Sequence, residues 1–526
     1  MIELLLTFGR FKTSGKKSCM KLFLALVCGL LFLEGSAQKI AYSEPEREDG
    51  RRTDFEIIGK IGNNYQVFKN NRSENAICIY DNSMKLVERV NLDFMPDHWI
   101  NTDFIAYPDF SYLIYQYQKK SIVYCSLAKI DDKGKTIGEP VVLDTTHIGW
   151  AANNKIYNAV YSEDKQRIMI FKINSKNPKN FVFTTLLFNS DMKLIVEKQR
   201  LLLPMEERND FFSDFLLDND GNLVFGKLMK NGGSDYISRV LLVAKPAEAD
   251  SFVTRDLGNN DKVLDEVKIK IDNTNKRCLF TAFYYKQKRG NIEGLYTVGW
   301  DKDSKSLYNE SFIVFNDELR NQAKSSDASV KMAFNDYFIK NLLTRKDGSF
   351  VIIGESEYTT SRAGAFNRWD YLSYNNPWSY NSYDSYYYSP GYNRWYSPWS
   401  RWTSSQAVRY HAENILVLYF DKDAKLIWAN VIPKSQYDDE SDNLISHQVM
   451  ITGGQLHFMF NQYERKNLML NDQSVGPDGK ITRYPTLKSL DRGYEFMPRY
   501  GKQVSAKELL VPCMYRNYLC FAKLEF

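Results

Sequence analysis

From about residue 54 onward the chain alternates short β-rich runs with short polar turns, and the turns resemble one another. "YDNSMKLVERVNL" (Tyr80–Leu92), "IDDKGKTIGEPVVL" (Ile130–Leu143), "FNSDMKLIVEKQRLLL" (Phe188–Leu203), "WDKDSKSLYNESFIVF" (Trp300–Phe315) and "FDKDAKLIWANVIP" (Phe420–Pro433) share one plan. A β-rich run leads to Asp or Asn, then three mostly small or polar residues, Lys, and a second β-rich run. "VGPDGKITRYPTL" (Val475–Leu487) is a looser copy. The turn lysines Lys85, Lys135, Lys193, Lys305, Lys425 and Lys480 are separated by 50, 58, 112, 120 and 55 residues. The gap of 112 is two periods, which places a degenerate copy at "SRVLLVAKPAEADSFVTRDL" (Ser238–Leu257). The gap of 120 is one period plus an insertion.

One or two further β-like runs precede each hairpin, among them "SYLIYQYQ", "RIMIFKIN", "NLVFGKLMK", "RCLFTAFYY" and "QLHFMFNQYE". Some alternate with period two; Leu279–Tyr285 is apolar nearly throughout, as a strand covered on both faces should be. Four short antiparallel strands per period of about 40–55 residues predict β-propeller blades. The expected fold is therefore all-β: a single propeller of seven or eight four-stranded blades over residues 38–526, closed by N- and C-terminal strands. "ELLVPCMYRNYLCFAKLEF" is expected to supply the inner strands of the closing blade, and "DFEIIGKI" near residue 54 to complete it. A pair of β-sandwiches is the rival. Asn316–Leu343 is the best helix candidate.

The first 37 residues have the pattern of an export signal. Lys16, Lys17 and Lys21 precede the apolar run Leu22–Leu33, and Gly35-Ser36-Ala37 supplies small residues before a cut at Gln38, with Met20 as an alternative start. That run is too short to span a bilayer. Setting residues 1–37 aside removes five basic and two acidic side chains, and the formal charge falls from +5 to +2. So balanced a chain lacks the footprint of a nucleic-acid binder. The expected location is exported, periplasmic or at the outer membrane. Cys78, Cys125, Cys278, Cys513 and Cys520 are odd in number and sit in apolar runs, which fits buried thiols, with a Cys513–Cys520 bridge across a hairpin as the alternative.

Residues 337–358, "YFIKNLLTRKDGSFVIIGESEY", and 413–436, "ENILVLYFDKDAKLIWANVIPKSQ", resemble a group of uncharacterised exported propeller-like proteins of Bacteroidota. Glu355, Asp421, Trp428, Pro433, Lys434 and Gln436 fall on that group's pattern, with Ala424 in place of its turn glycine. The resemblance spans about 100 residues with the insert counted. It implies fold and export and brings no catalytic residues.

Chemistry-bearing motifs are few. His98, His147, His411, His447 and His457 are scattered singly, and no H-x-x-H, H-E-x-x-H or C-x-x-C spacing occurs, so neither metal nor cofactor is called for. His457 is expected to be a satisfied core histidine, and "DNDGN" (Asp218–Asn222) a hairpin turn rather than a calcium loop. Glu355 and Glu357 in "GESEY" would share a strand face, and could serve a glycan-active enzyme with carboxylates in the central funnel.

The insertion is the most unusual stretch. Residues 367–402 hold five Trp and nine Tyr, with Leu372 as the sole aliphatic residue. Ser, Asn, Pro and Gly dominate the remainder, with Arg368, Arg394 and Arg401 among them. Such a composition resembles binding loops, in which Tyr and Trp give contact area and Ser and Asn adaptable hydrogen bonds. The expected role is a Tyr/Trp-rich loop at 361–410, within one blade, that contacts a protein, glycan or membrane-interface partner. Its contact residues would be Trp369, Tyr371, Tyr374, Trp378, Tyr380, Trp395, Tyr396, Trp399 and Trp402 with Arg368, Arg394 and Arg401. The main functional expectation is thus a non-enzymatic binding or scaffold protein of the cell envelope.

Overall fold

The computed structural model describes residues 39–46 and 53–526, except 72–73, 150–154, 178, 207–209, 231–235, 259–261, 289, 326–327, 362–363, 366–386, 389–407, 440, 465–466, 485–492 and 517. Residues 1–37, expected to be an export signal, lie outside the described residues.

The chain is all-β, with one α-helix among the described residues. Its strands fall into four-stranded antiparallel meanders that follow each other along the sequence. Units 1, 2 and 3 cover 53–91, 101–147 and 158–204; units 6 and 7 cover 337–438 and 447–483. A nine-stranded sheet between them resolves into unit 4 (211–256) and unit 5 (263–314), whose strands are joined, among the described residues, through the pair Ile237↔Leu264. The first strand of unit 4 is broken into Phe211–Phe212 and Leu216–Leu217.

The eighth unit departs from expectation. Its second and third strands are Glu508–Tyr515 and Tyr518–Glu525, but the N-terminal strand that completes it is Lys39–Tyr42. Thr53–Ile61, which contains "DFEIIGKI", is instead the first strand of unit 1. Ser43 extends the closure: its N–H donates to the Phe521 carbonyl, and its hydroxyl accepts from the Phe521 N–H at 3.0 Å.

Buried side chains sit between units. Ile58, Phe68 and Ile77 of unit 1 share a cluster with Phe104, Leu113 and Ala128 of unit 2. Six further clusters link units 2–3, 3–4, 4–5, 5–6, 6–7 and 7–8 in the same way. In the eighth, Phe55, Tyr65 and Val67 of unit 1 meet Leu510, Leu519 and Phe521 of unit 8. Burial on both faces explains the apolar strands: Arg277–Tyr285 is buried at every position, whereas the fourth strand of unit 4, Val253–Asp256, is exposed at every position. The arrangement is propeller-like.

The repeated turn now has a physical basis. In "DNSMK", Asp81 Oδ1 accepts from the N–H groups of Ser83 and Lys85 at 2.8 and 2.9 Å, and Met84 takes the left-handed conformation at φ 62°. Asp131, Asn189 and Asp421 repeat these bonds, with Gly134, Met192 and Ala424 left-handed. A non-glycine residue there costs about 1–2 kcal/mol. Met84 is fully buried in the cluster of units 8 and 1, and Ala424 in that of units 5 and 6, so each side chain plugs the seam behind its own unit.

The helix is shorter than expected. Asp317–Ala323 is capped by Asn316, whose Oδ1 accepts from the Leu319 N–H at 2.9 Å, and it ends at Lys324 in an extended conformation. The apolar residues that follow form the first strand of unit 6, Tyr337–Thr344, and take two-sided sheet cover in preference to a helix face.

Replacing Gly134 by Ala is expected to cost about 1–2 kcal/mol in chemical denaturation, since the residue holds φ +74°. An added Cβ would also stand 3.2 Å from Ile79 Cδ1 across the seam. Ala424→Gly, which relieves φ +59°, should leave stability level or raised. Equal losses in both variants would contradict this account of the turn.

Candidate functional site

Unit 6 is built unevenly. Its second, third and fourth strands, Phe350–Ser361, Val408–Phe420 and Leu426–Asp438, are 12 or 13 residues long, while the first has 8; its register ends at Tyr337↔Ser356, and one further bond joins the Glu357 N–H to the Asp336 carbonyl. The other three continue as an arm, and the residues between Ser361 and Val408 are inserted at its end. Register shifts at Glu355/Glu357 and Glu413/Ile415 mark the departure; such bulges bend strands and re-aim side chains.

Both glutamates of "GESEY" are buried here, but in ion pairs. Glu355 is completely inaccessible. Its Oε1 lies 2.8 Å from Lys434 Nζ and 2.9 Å from His447 Nδ1, and its Oε2 accepts from the Ser446 hydroxyl at 2.5 Å. Burial by itself would raise its pKa, but His447 and Lys434 hold the carboxyl well below the usual carboxylate range. Burial depresses the Lys434 ammonium, with Glu355 opposing. Lys434 also donates to the Ala412 carbonyl and to Gln436 Oε1 at 3.0 and 2.7 Å, while Gln436 Nε2 donates to the Asn461 carbonyl of unit 7 at 2.8 Å. Glu355, Lys434 and Gln436, three of the residues on which the sequence resemblance rests, thus meet at one seam. Trp428 spans it as well, donating to the Pro477 carbonyl at 3.1 Å.

Glu357 sits beside this seam with 2% of its side chain exposed. It accepts from Lys340 Nζ at 2.6 Å and from Arg499 Nη2, contributed by unit 8, at 2.7 Å; Arg499 Nη1 reaches Asp442 at 2.5 Å. Lys340 and Arg499 keep 28% and 23% of their side chains exposed. One buried carboxylate therefore fixes two partly accessible cations drawn from different units. Ionised as it is, Glu355 cannot serve as a proton donor, because a general acid needs a pKa near the working pH.

The arm carries rings. Tyr358 stacks on His411 at 4.4 Å between centroids and donates to Glu413 at 2.9 Å; His411 also contacts the Thr360 hydroxyl. Arg409 lies over the Tyr437 ring and pairs with Asp439. Tyr437 and, from unit 7, Tyr463 are 53% and 64% exposed. Partial burial, followed by the charges of Glu495 and Asp438, raises the Tyr463 pKa.

The aromatic residues expected to make contacts (Trp369, Tyr371, Tyr374, Trp378, Tyr380, Trp395, Tyr396, Trp399 and Trp402) and Arg368, Arg394 and Arg401 lie outside the described residues. Of their tract, Tyr387–Tyr388 is described: its backbone pairs antiparallel with Asn174 and Ile173, at the end of the second strand of unit 3. His457 is buried against Asp472, with Nδ1 3.0 Å from Oδ2, so it is satisfied as expected. Asp218 binds the N–H groups of Asp220 and Asn222 and the Lys302 ammonium, the pattern of a turn. Among the described residues no three His, Cys, Asp or Glu side chains gather as metal ligands. No described helix is long and apolar enough to cross a membrane.

Sequence reasoning singled out Glu355, Glu357 and Lys434. It gave no weight to Arg499, in a one-turn 3-10 helix, or to Asp442 and Ser446, in the loop between units 6 and 7, none of which carries a motif, and treated His447 only as an isolated histidine.

No family model matches the chain, and no curated protein matches it. Similar solved structures include an ulvan lyase, a polysaccharide lyase, at 10% identity and TM-score 0.37, covering 80% of this chain and 90% of that one. Another is prolyl oligopeptidase B from Galerina marginata, at 8% identity and TM-score 0.39, covering 89% of this chain and 57% of that one. Oligopeptidase B from Leishmania major has TM-score 0.35 at 8% identity, covering 88% of this chain and 54% of that one.

Glu355→Gln should strand Lys434 and His447 beside a neutral amide and cost about 3–5 kcal/mol at pH 7, the range for breaking a buried pair. The wild-type carboxylate contributes fully above the ordinary glutamate pKa of about 4.3 and loses its contribution as pH falls toward its depressed folded value. The stability gap between wild type and variant should therefore narrow on acidification. A gap independent of pH would show that the charge is not what matters.

Proposed function

We propose that the protein is an exported glycan-binding protein, built as a closed eight-bladed β-propeller, that holds its ligand over units 6 to 8. The observation that carries this reading is Glu357 fixing Lys340 and Arg499 at the root of an arm with exposed tyrosines. Arg499, Lys340, Asp442 and Glu357 offer donors and acceptors in nearly balanced charge, which suits a hydroxyl-rich ligand better than a polyanion. Tyr437 and Tyr463 add flat faces with polar edges beside them. Positions held by a buried carboxylate lose little entropy on binding, which is the advantage of preorganisation.

The tract rooted on the same arm belongs to this surface in our reading, with the five indoles from Trp369 to Trp402 as anchors. Truncating such an anchor typically costs ~2 kcal/mol or more of binding energy. Exposed indoles without cover would be an aggregation liability, so ligand, partner or the propeller's own face must shield them. Export and an envelope location rest on residues 16–38.

The ionised Glu355 favours binding over turnover. Glu357 remains the carboxylate through which a glycan-active enzyme would work, and one experiment separates the two. A panel of neutral and acidic polysaccharides is screened for binding and for released products. Tyr437→Ala and Tyr463→Ala should weaken binding at least tenfold while the melting temperature stays unchanged. Retained affinity in both variants, or no binding across the panel, would sink the reading. Product release abolished by Glu357→Gln would replace it with the enzyme.

A further inference from the structure

Unit 8 is the unit in which the two ends of the chain meet, and its two middle strands carry cysteines at opposed positions. Cys513 of Glu508–Tyr515 faces Cys520 of Tyr518–Glu525 as a direct Cα partner. Their sulfurs lie 2.9 Å apart, and both side chains are fully buried in the cluster between units 7 and 8. Opposed antiparallel residues stand about 4.5–5.5 Å apart at Cα, inside the window of about 4.4–6.8 Å that a disulfide accepts. Cys78, Cys125 and Cys278 are buried in other clusters, each without a second cysteine in its own cluster.

The geometry points to Cys513–Cys520 as the site of an intrachain disulfide that is set before unit 8 packs against unit 7. Two S–H bonds are lost and one S–S bond forms; the two electrons and two protons pass to a disulfide of the surroundings, whose own S–S bond breaks to give two thiols, and oxidised glutathione serves in vitro. Exchange requires a thiolate that the oxidant can reach. Once folded, neither sulfur is accessible, and burial followed by the Cys520 sulfur pushes the Cys513 thiol well above its ordinary value. The bond therefore belongs to the exposed hairpin, an early product of local pairing.

Its use is register. A slip of one residue between these strands would turn every side chain of the hairpin to the opposite face, and Lys39–Tyr42 pairs along its free edge. A bond between opposed residues forbids that slip.

The full chain is unfolded, refolded with mixed oxidised and reduced glutathione, then denatured without reductant and alkylated for peptide mapping. Peptides bearing Cys513 and Cys520 should appear linked, lighter by two hydrogens and unalkylated, while Cys78, Cys125 and Cys278 are modified. In Cys520→Ala, Cys513 should become fully alkylated. Protein folded first in reductant and then given oxidised glutathione in its native state should stay reduced and melt below the oxidised form. Complete alkylation of both cysteines after oxidative refolding would overturn the site. Rapid oxidation of the native protein would overturn the order of events.

Discussion

Every unit depends on burying both faces of its sheet against a neighbour. A four-stranded meander of about 40 residues has too little apolar surface to stand alone, and each cluster here belongs to two units. The seam is therefore the unit of stability, and the last seam, between units 8 and 1, is the one that local sequence cannot provide. It is held by Phe55, Tyr65 and Phe521 in its core and by Lys502, which donates to the Ile57 and Ile58 carbonyls at 3.0 and 2.9 Å. Tyr65 donates to Glu508 at 2.7 Å, and Lys523 to the Asn82 carbonyl at the same distance. Each of these bonds joins residues more than 400 positions apart.

Charge is used differently at the seam of units 6 and 7. Burying Glu355 with Lys434 and His447 recovers little net energy, because desolvation consumes most of the attraction. What the pair does is tie the second strand of the arm to its fourth and to the start of unit 7. A bulged, lengthened set of strands that leaves its sheet needs such a constraint, and Gln436 extends it into unit 7.

Much of the repeat was legible because its turn is local chemistry. An Asp or Asn that accepts from the second and fourth following N–H groups writes itself into four or five residues, and even the copy at Ser238–Leu257 could be located by period; it is the outer hairpin of unit 4. The closing strand was not legible. Lys39–Tyr42 is four residues long, and its partner lies at the far end of the chain, so nothing near it signals pairing. The helix was drawn too long because "YFIKNLL" meets the spacing of a helix face as well as that of a buried strand. At the site, Glu355, Glu357 and Lys434 stood out singly, but their meeting with His447 and Arg499 is a product of tertiary structure. Arg499 follows a Pro in a one-turn 3-10 helix, a setting without a sequence signature.

The position of Lys39–Tyr42 sets a timetable. During synthesis this strand has no edge to pair with until Tyr518–Glu525, beyond seven intervening units, has been made. Units 1 to 7 can dock one after another as they appear, but the outer face of unit 1 stays bare until unit 8 has been made. For that interval Phe55, Tyr65 and Met84 are open to any other unfinished chain. A cell making this protein would need to keep nascent copies apart or shield the first unit until that strand arrives, and removing residues 518–525 would leave every copy in that unfinished state.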